Sequence, residues 1–287
     1  MHTPDGFLTS WICVLFMLLS VIPIALAFKN LRKNISNSKI MAIATVSAVI
    51  FLAQMLNFPI ADGTSGHLIG ATLALLILGV DGAVISMTIV LLIQTIVFGD
   101  GGVLALGTNI FNMGIVGVYA ANFAMNKLQI NELAKRFVAS WFSVLAASIA
   151  CTVELALSGT VSFLPALIAM AITHAIIGIS EGLITVAFSI FTNRLQNLTW
   201  KAALVGTGIS FLIVALVLPF ASEHPDGLEK VAINLGFFKA ATEFYSAPIV
   251  EYMVVGTSAA FGGVLAALIG VISVFGSSCV VGTMIKA

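Results

Sequence analysis

The chain carries four histidines, His2, His67, His174 and His224. His2 directly follows the chain start, so three nitrogens stand in a row: the Met1 amine, the His2 amide nitrogen and the His2 imidazole. A metal bound through all three closes a five-membered and a six-membered chelate ring, and one further nitrogen completes a square plane. Tetragonal nitrogen sets suit Ni(II) and Cu(II). Such ligands must shed protons to bind, so the site weakens in acid. His67 ends the polar, Gly-rich segment FPIADGTSGHLIG (58–70), whose Asp-Gly and Ser-Gly pairs signal an irregular turn just before an apolar run. Non-helical backbone at membrane depth is tolerated where protein buries it or water fills a cavity.

Other polar residues could surround these histidines. Asp5 and Asp62 could accept hydrogens from an imidazole or amine, although Asp-Gly turns account for both equally well. Ser65 belongs to the same loop as His67. Gln54, Asn57, Gln94, Thr108, Asn109 and Asn112 lie in or near apolar runs and should face protein, because an unsatisfied amide in lipid is costly. Asn109 and Asn112 share a face in LGTNIFNMG (106–114), where they either line the His67 loop or cross-link helices. His174 and Glu181, seven apart in THAIIGISEGLIT (173–185), share a helix face. A polar network in a packed interface accounts for them, as it does for Glu154; a proton relay is the other reading. The chain has no GxxxxGK[ST], HExxH or GxSxG pattern, so nothing points to an enzyme or a catalytic cofactor. Cys13, Cys151 and Cys279 sit in or beside apolar runs without a CxxC pair and read as buried thiols.

The elements that must position these groups are membrane helices. Of 287 residues, 60% are hydrophobic and 8% are charged, against about a quarter charged in a soluble domain. The formal net charge is zero, which argues against a nucleic-acid surface. Nine apolar runs are long enough to consider as spans: 9–28, 40–58, 66–80, 82–98, 105–125, 137–157, 163–192, 202–220 and 253–275. The expected fold is therefore an all-α polytopic membrane protein, since an isolated strand in lipid leaves its backbone unpaired. The leading MHTPDG lacks Lys and Arg and the run after it is too long for a signal peptide, so Met1 is expected to be kept.

With the N-terminus outside, ten basic residues fall on inner segments and only Lys230 and Lys239 on outer ones. Asp5, Asp62, Asp100, Glu223, Asp226, Glu229, Glu243 and Glu251 then make the outer face about six charges negative, a field that gathers cations. GxxxG spacing at Gly66/Gly70 and Gly178/Gly182 permits close helix contact. The polar segment NRLQNLTWK (193–201) marks an internal boundary, followed by two spans around an outer loop of about 221–251. In that loop Asp226 and Glu229 form a capping-box pattern, Leu228, Val231, Ala232 and Leu235 an apolar stripe, and Gly236 a stop, predicting a short surface helix.

Four segments carry a family resemblance: MHTPDGFL (1–8), NFPIADGTSGHLIG (57–70), FGDGGVLALGTNIFNMGIVG (98–117) and THAIIGISEGLIT (173–185). They resemble the cobalt and nickel substrate-capture components of energy-coupling-factor transporters, the CbiM/NikM family. PDGLEKVA (225–232) resembles the family's small companion subunit. The resemblance implies a seven-span capture domain over 1–200 fused to a two-span companion over 201–287. It implies that Ni(II) or Co(II), as cargo, is held by the Met1 amine, the backbone and imidazole nitrogens of His2, and His67. It further implies a transmembrane coupling protein and cytoplasmic ATPase subunits as partners. The chain would lie in the plasma membrane, with its N-terminus extracytoplasmic and its C-terminus cytoplasmic. Basic inner loops and the Gly178/Gly182 face would be docking surfaces for those partners. The competing class is a stand-alone ion-coupled carrier with His174 and Glu181 as its relay, and a third is a scaffold that binds no metal.

Overall fold

The structure, a computed structural model, describes residues 1–189 and 199–287. Most of the expected boundary segment, residues 193–198, lies outside the described residues. Ten α-helices are described: α1 Ser10–Arg32, α2 Asn37–Gln54, α3 Ala71–Ile93, α4 Leu106–Asn109, α5 Gly117–Lys127, α6 Glu132–Leu157, α7 Phe163–Ser189, α8 Trp200–Val217, α9 Gly227–Leu235 and α10 Ala259–Lys286. Among the described residues, seven helical stretches are long and apolar enough to cross a membrane: those of α1, α2, α6 and α7, together with Ala71–Phe98, Trp200–Phe220 and Phe261–Lys286. A π-helical segment, Ile110–Val116, joins α4 to α5 and makes a further long helix over 106–127.

The expected runs 66–80 and 82–98 appear as a single helix broken at Gly79 (φ 68°, ψ 176°). The chain reverses there. Lys39 Nζ donates to the Leu78 carbonyl, and eight residues further along both elements Ser47 and Ser86 share a hydrogen bond. The part after Gly79 therefore runs beside α2 in the same direction. Before the break, Gln54 Nε2 donates to the Ile69 carbonyl at the other end of α2. Ala71–Leu78 alone rises only about 12 Å, so the preceding loop must supply the rest of that traverse. The loop does so by dipping into the bundle. The last expected run also shifts, from 253–275 to Ala259–Lys286. Serine and threonine lower the hydropathy of its second half without ending the helix, because they bond back to the turn before: Thr283 Oγ1 donates to the Val280 carbonyl.

One end of the bundle gathers the N-terminal arm, the 58–70 loop and the companion's long loop. Charged residues gather at the other end. There Lys286 Nζ donates to Asn37 Oδ1, Asn30 Nδ2 to Asp81 Oδ1, and Arg136 to the Ser189 carbonyl and hydroxyl. The apolar residues of α1 divide by face: Ile12, Cys13 and Phe16 turn inward, whereas Trp11, Val14, Leu18 and Ile22 are exposed, as a lipid-facing surface requires. Cys13 and Cys151 are buried and unpaired.

Glycines set how closely the helices meet. A Cβ on Gly107 would lie 2.4 Å from Met17 Cα, where α4 presses on the backbone of α1. At Gly178 and Gly182 it would meet Trp141 and Phe137 of α6 at 2.9 and 2.6 Å, so this pair seals α6 to α7 and is not free to dock a partner. Gly66 and Gly70 do not form a helical pair: Gly66 ends a two-residue strand, Ser65–Gly66, and Gly70 takes φ 82° as the N-cap of α3. Gly107→Ala should cost about 1–3 kcal/mol through overpacking, whereas Gly206→Ala, with nothing within 4 Å of its Cβ position, should not lower stability. Thermal melting of the two purified variants checks this, and equal melting would refute the close contact.

Candidate metal centre

The N-terminal arm enters the bundle because its backbone is paired along the way. Asn109 Nδ2 donates to the Thr3 carbonyl and Asn109 Oδ1 accepts the Thr3 amide, a two-bond clamp just beyond His2. The Gly102 amide also donates to the Thr3 carbonyl. The Asp5 carboxylate accepts the amides of Val103, Leu104 and Ala105, at 2.9–3.2 Å. Gly102 must be glycine, because a Cβ there would lie 2.0 Å from Asp5 Oδ1. Met1, His2 and His67 end up 5%, 8% and 7% exposed, all buried.

The 58–70 loop brings His67 to them. Strands β1 (Phe58–Pro59) and β2 (Ser65–Gly66) pair antiparallel and fold the loop into a hairpin. The Ile69 and Gly70 amides donate to the two Glu181 oxygens at 2.7 and 2.8 Å. These bonds anchor the turn just after His67. His67 Nδ1 bonds the Leu68 carbonyl at 3.1 Å and must donate there, which leaves Nε2 as the acceptor. That Nε2 faces the Met1 amine at 3.0 Å. Two nitrogens in cis positions on one metal, each about 2.0–2.1 Å from it, lie about 2.9 Å apart. The His2 and His67 rings stack, with centroids 5.1 Å apart and planes 24° from parallel.

Two carboxylates occupy the nitrogens that would bind a metal. Asp100 Oδ1 accepts from His2 Nδ1 at 3.1 Å, and Asp226 Oδ2 pairs with the Met1 ammonium. Asp226 does double duty. It is the N-cap of α9, where its Oδ1 accepts the Glu229 amide while Glu229 returns the bond to the Asp226 amide, the full capping box. Its second oxygen is left for the ammonium. Tyr252 OH donates to Asp100 Oδ2 at 2.5 Å, so the companion part braces both acids.

Burial on its own favours the neutral form of Asp226, but the adjacent ammonium outweighs it and holds this carboxyl well below its usual range. Burial lowers the His2 imidazole against the opposing pull of Asp100. Burial, with the Met1 ammonium and His2, pushes the His67 imidazole down to about 3. Both rings are therefore neutral at neutral pH and can offer lone pairs. Among the described residues no three His, Cys, Asp or Glu side chains converge as a metal cage. A site here depends on the terminal amine and a backbone nitrogen.

Sequence reasoning placed several residues correctly in the neighbourhood and misjudged their work. Asp5 does not touch an imidazole or amine; it caps the backbone of 103–105. Asp62 is an exposed turn residue at φ 54°. Asn57 holds the companion, its carbonyl accepting the Ser222 amide. Ser65 does the same, its amide donating to Pro225 O and its hydroxyl to His224 O. Asn109 and Asn112 part company: Asn109 grips the arm, while Asn112 Nδ2 donates to Glu154 Oε2 inside the bundle. No hydrogen bond joins His174 to Glu181, and Glu181 instead fixes the His67 loop. Asp100 and Asp226 were missed as site residues. The signal available for Asp226 was its capping role, which engages only one of its two oxygens; for Asp100 it was the Gly-Asp-Gly-Gly run 99–102.

Comparison with known proteins follows this geometry. Residues 2–199 match the CbiM family, described as a cobalt uptake substrate-specific transmembrane region, and residues 200–287 match the PDGLE domain. The chain belongs to the CbiM family. It is 32% identical over 289 residues to an Archaeoglobus fulgidus protein named "Putative fused nickel transport protein NikMN", covering 96% of this chain and 95% of that one. It is also 32% identical to the Carboxydothermus hydrogenoformans "Cobalt transport protein CbiM", over 69% of this chain and 85% of the relative. A crystal structure of a truncated transition metal transporter superposes with a TM-score of 0.62 at 31% identity, covering 68% of this chain and 99% of that one. The part matched to CbiM carries His2 and His67, with Met1 directly before it, and the PDGLE part carries Asp226 and Tyr252.

The shifts of His2, His67 and Asp226 act in one direction. Each of these three groups has its folded value below its ordinary one, so each contributes stability that is present above the ordinary value and lost as pH falls through the folded one. For the histidines the loss begins below about pH 6.5, and for Asp226 below about pH 4. Acid should therefore loosen the arm. Asp226→Ala should expose the Met1 amine at neutral pH and cost at least about 1 kcal/mol through the lost cap. Amine acetylation at neutral pH, read by mass spectrometry, checks the variant, with slow labelling expected in the native chain and fast labelling in Asp226→Ala; hydrogen exchange of residues 1–9, faster at pH 5 than its intrinsic pH dependence allows, checks the loosening in acid.

Proposed function

We propose that this chain is the metal-binding membrane component of an ATP-driven importer of nickel or cobalt. In this reading it binds the ion in a square plane of nitrogens: the Met1 amine, the His2 amide nitrogen and Nδ1, and His67 Nε2. The observation that carries the reading is the buried Met1 amine, 3.0 Å from His67 Nε2 with the His2 ring stacked alongside. A transported ion has to be released again, and a site made from a chain end can be opened by withdrawing that end. Four nitrogens in a plane reject the hard oxygen-seeking cations Mg²⁺ and Ca²⁺. Names of relatives, "nickel transport" and "cobalt transport" among them, support the same cargo.

Binding displaces two interactions. The Met1 ammonium and the His2 amide must each lose a proton to solvent, the amine must leave Asp226, and His2 Nδ1 must leave Asp100 with its hydrogen passing to Nε2. The acids thereby hold the empty ligands in place until an ion arrives. The chain has no nucleotide-binding motif of its own, so in this reading separate cytoplasmic ATPase subunits, coupled through a transmembrane partner, supply the energy. The N-terminus lies on the extracytoplasmic side and the basic end, with Lys286, in the cytoplasm.

Three preparations test the reading: the native start, one residue added before Met1, and His67→Ala. The first should retain about one nickel or cobalt per chain after dialysis, and the other two should lose most of it. Equal metal content in all three would overturn the assignment.

A further inference from the structure

A small cavity adjoins the proposed plane. It measures about 10 Å³ and is lined by Met1, Gly66, His67, Ile69, His174, Ile177, Asp226 and Gly227. That is room for about one water molecule, too little for an ion with its full hydration shell. Four of its walls bear polar groups, namely the Met1 amine, two imidazoles and a carboxylate. His174 is 1% exposed, and its Nδ1 bonds the Met170 carbonyl at 2.9 Å. Nδ1 must donate in that bond, so the lone pair is on Nε2. Nε2 is buried without a hydrogen-bond partner. A Cβ on Gly227 would lie 3.1 Å from it. The companion's Asp-Gly turn thus brings its backbone against this nitrogen and puts the Asp226 carboxylate into the same cavity.

An orphaned imidazole nitrogen in a polar, water-sized cavity calls for a ligand. We infer that His174 Nε2 and the Asp226 carboxylate form a second, transient position for the divalent transition metal beside the nitrogen plane. The inference rests on the plane proposed above and adds to it two side chains, one from each part of the chain. A metal chelated by consecutive backbone nitrogens cannot drop all its bonds at once. A neighbouring imidazole and carboxylate, with water, can hold the ion while the plane assembles or comes apart. A mixed nitrogen and oxygen pair suits a borderline ion such as Co(II) or Ni(II). That the carboxylate also pairs with Met1 links the two positions: Asp226 is released from the amine as the ion moves into the plane. An incomplete ligand set is what a transfer position needs, since a complete cage would retain its ion.

The test uses the full chain and Co(II). His2→Ala breaks the plane but leaves His67, His174 and Asp226. This variant should still bind Co(II), about tenfold or more weaker than the native chain, with the strong visible absorption of a low-coordinate nitrogen-ligated ion. Adding His174→Ala should weaken that binding by a further tenfold or more. In the otherwise native chain, His174→Ala should still bind one metal at equilibrium but load it about tenfold more slowly in stopped flow. His174→Gln, whose amide can keep the bond to Met170, repeats the measurements in case the alanine variant folds poorly. If His2→Ala binds no Co(II), or if removing His174 changes neither its affinity nor the loading rate, the inference is overturned. Failure of the native chain to bind nickel or cobalt would sink the nitrogen plane itself, a separate result.

Discussion

A buried, charged chain terminus governs this structure. An ammonium removed from water loses several kcal/mol of hydration unless a partner replaces it. Here Asp226 and His67 supply the replacement, and they come from two different parts of the chain. The arm has to enter, the loop has to dip, and the companion's helix has to sit on top for the three groups to meet. Removing Asp226 leaves the buried ammonium without its counter-charge, which is far more costly than never having buried it.

Irregular backbone inside an apolar bundle raises a second demand, that every amide and carbonyl find a partner. The polar side chains of the bundle are largely spent on that. Asn109 serves Thr3, Asp5 serves three consecutive amides of 103–105, Glu181 serves Ile69 and Gly70, and Gln54 serves the Ile69 carbonyl. Buried carboxylates in a membrane protein invite a catalytic or proton-carrying reading. Glu181 instead holds a loop open at the depth where His67 is needed, a positioning role met by two short hydrogen bonds.

The companion part is tied to the pocket's rim at many points. The Ser222 amide meets Asn57, Pro225 and His224 meet Ser65, Thr242 meets Asp5, Ile249 meets Val97, and Tyr252 meets Asp100. Helix α9 adds an apolar anchor, with Leu228, Val231 and Ala232 packed into a cluster with Phe7, Leu8 and Ile12. The same capping box that starts α9 orients the carboxylate that holds the terminus. One residue thus both starts a nine-residue helix and holds the chain terminus.

Local rules were enough to read much of this from the residues. Apolar runs marked the helices, because a lipid-facing segment must be apolar throughout and must satisfy its own backbone. The capping box and Gly236 bounded α9, because caps act over a few residues. The Met1 amine and His2 were expected to act together because they are covalent neighbours, and the structure buries both, with the amine against His67. What depended on distance in sequence could not be read in this way. The reversal at Gly79 turned a presumed span into a short helix completed by a loop. Gly178 and Gly182 proved to face α6 instead of a partner. Asp62 fell away from the histidines, while Asp226 came to the Met1 amine and Asp100 to His2. A carboxylate carries no local sign of which amine or imidazole will approach it from a distant part of the chain. Only the packing of α7, the dipping loop and the companion's turn brought those groups together.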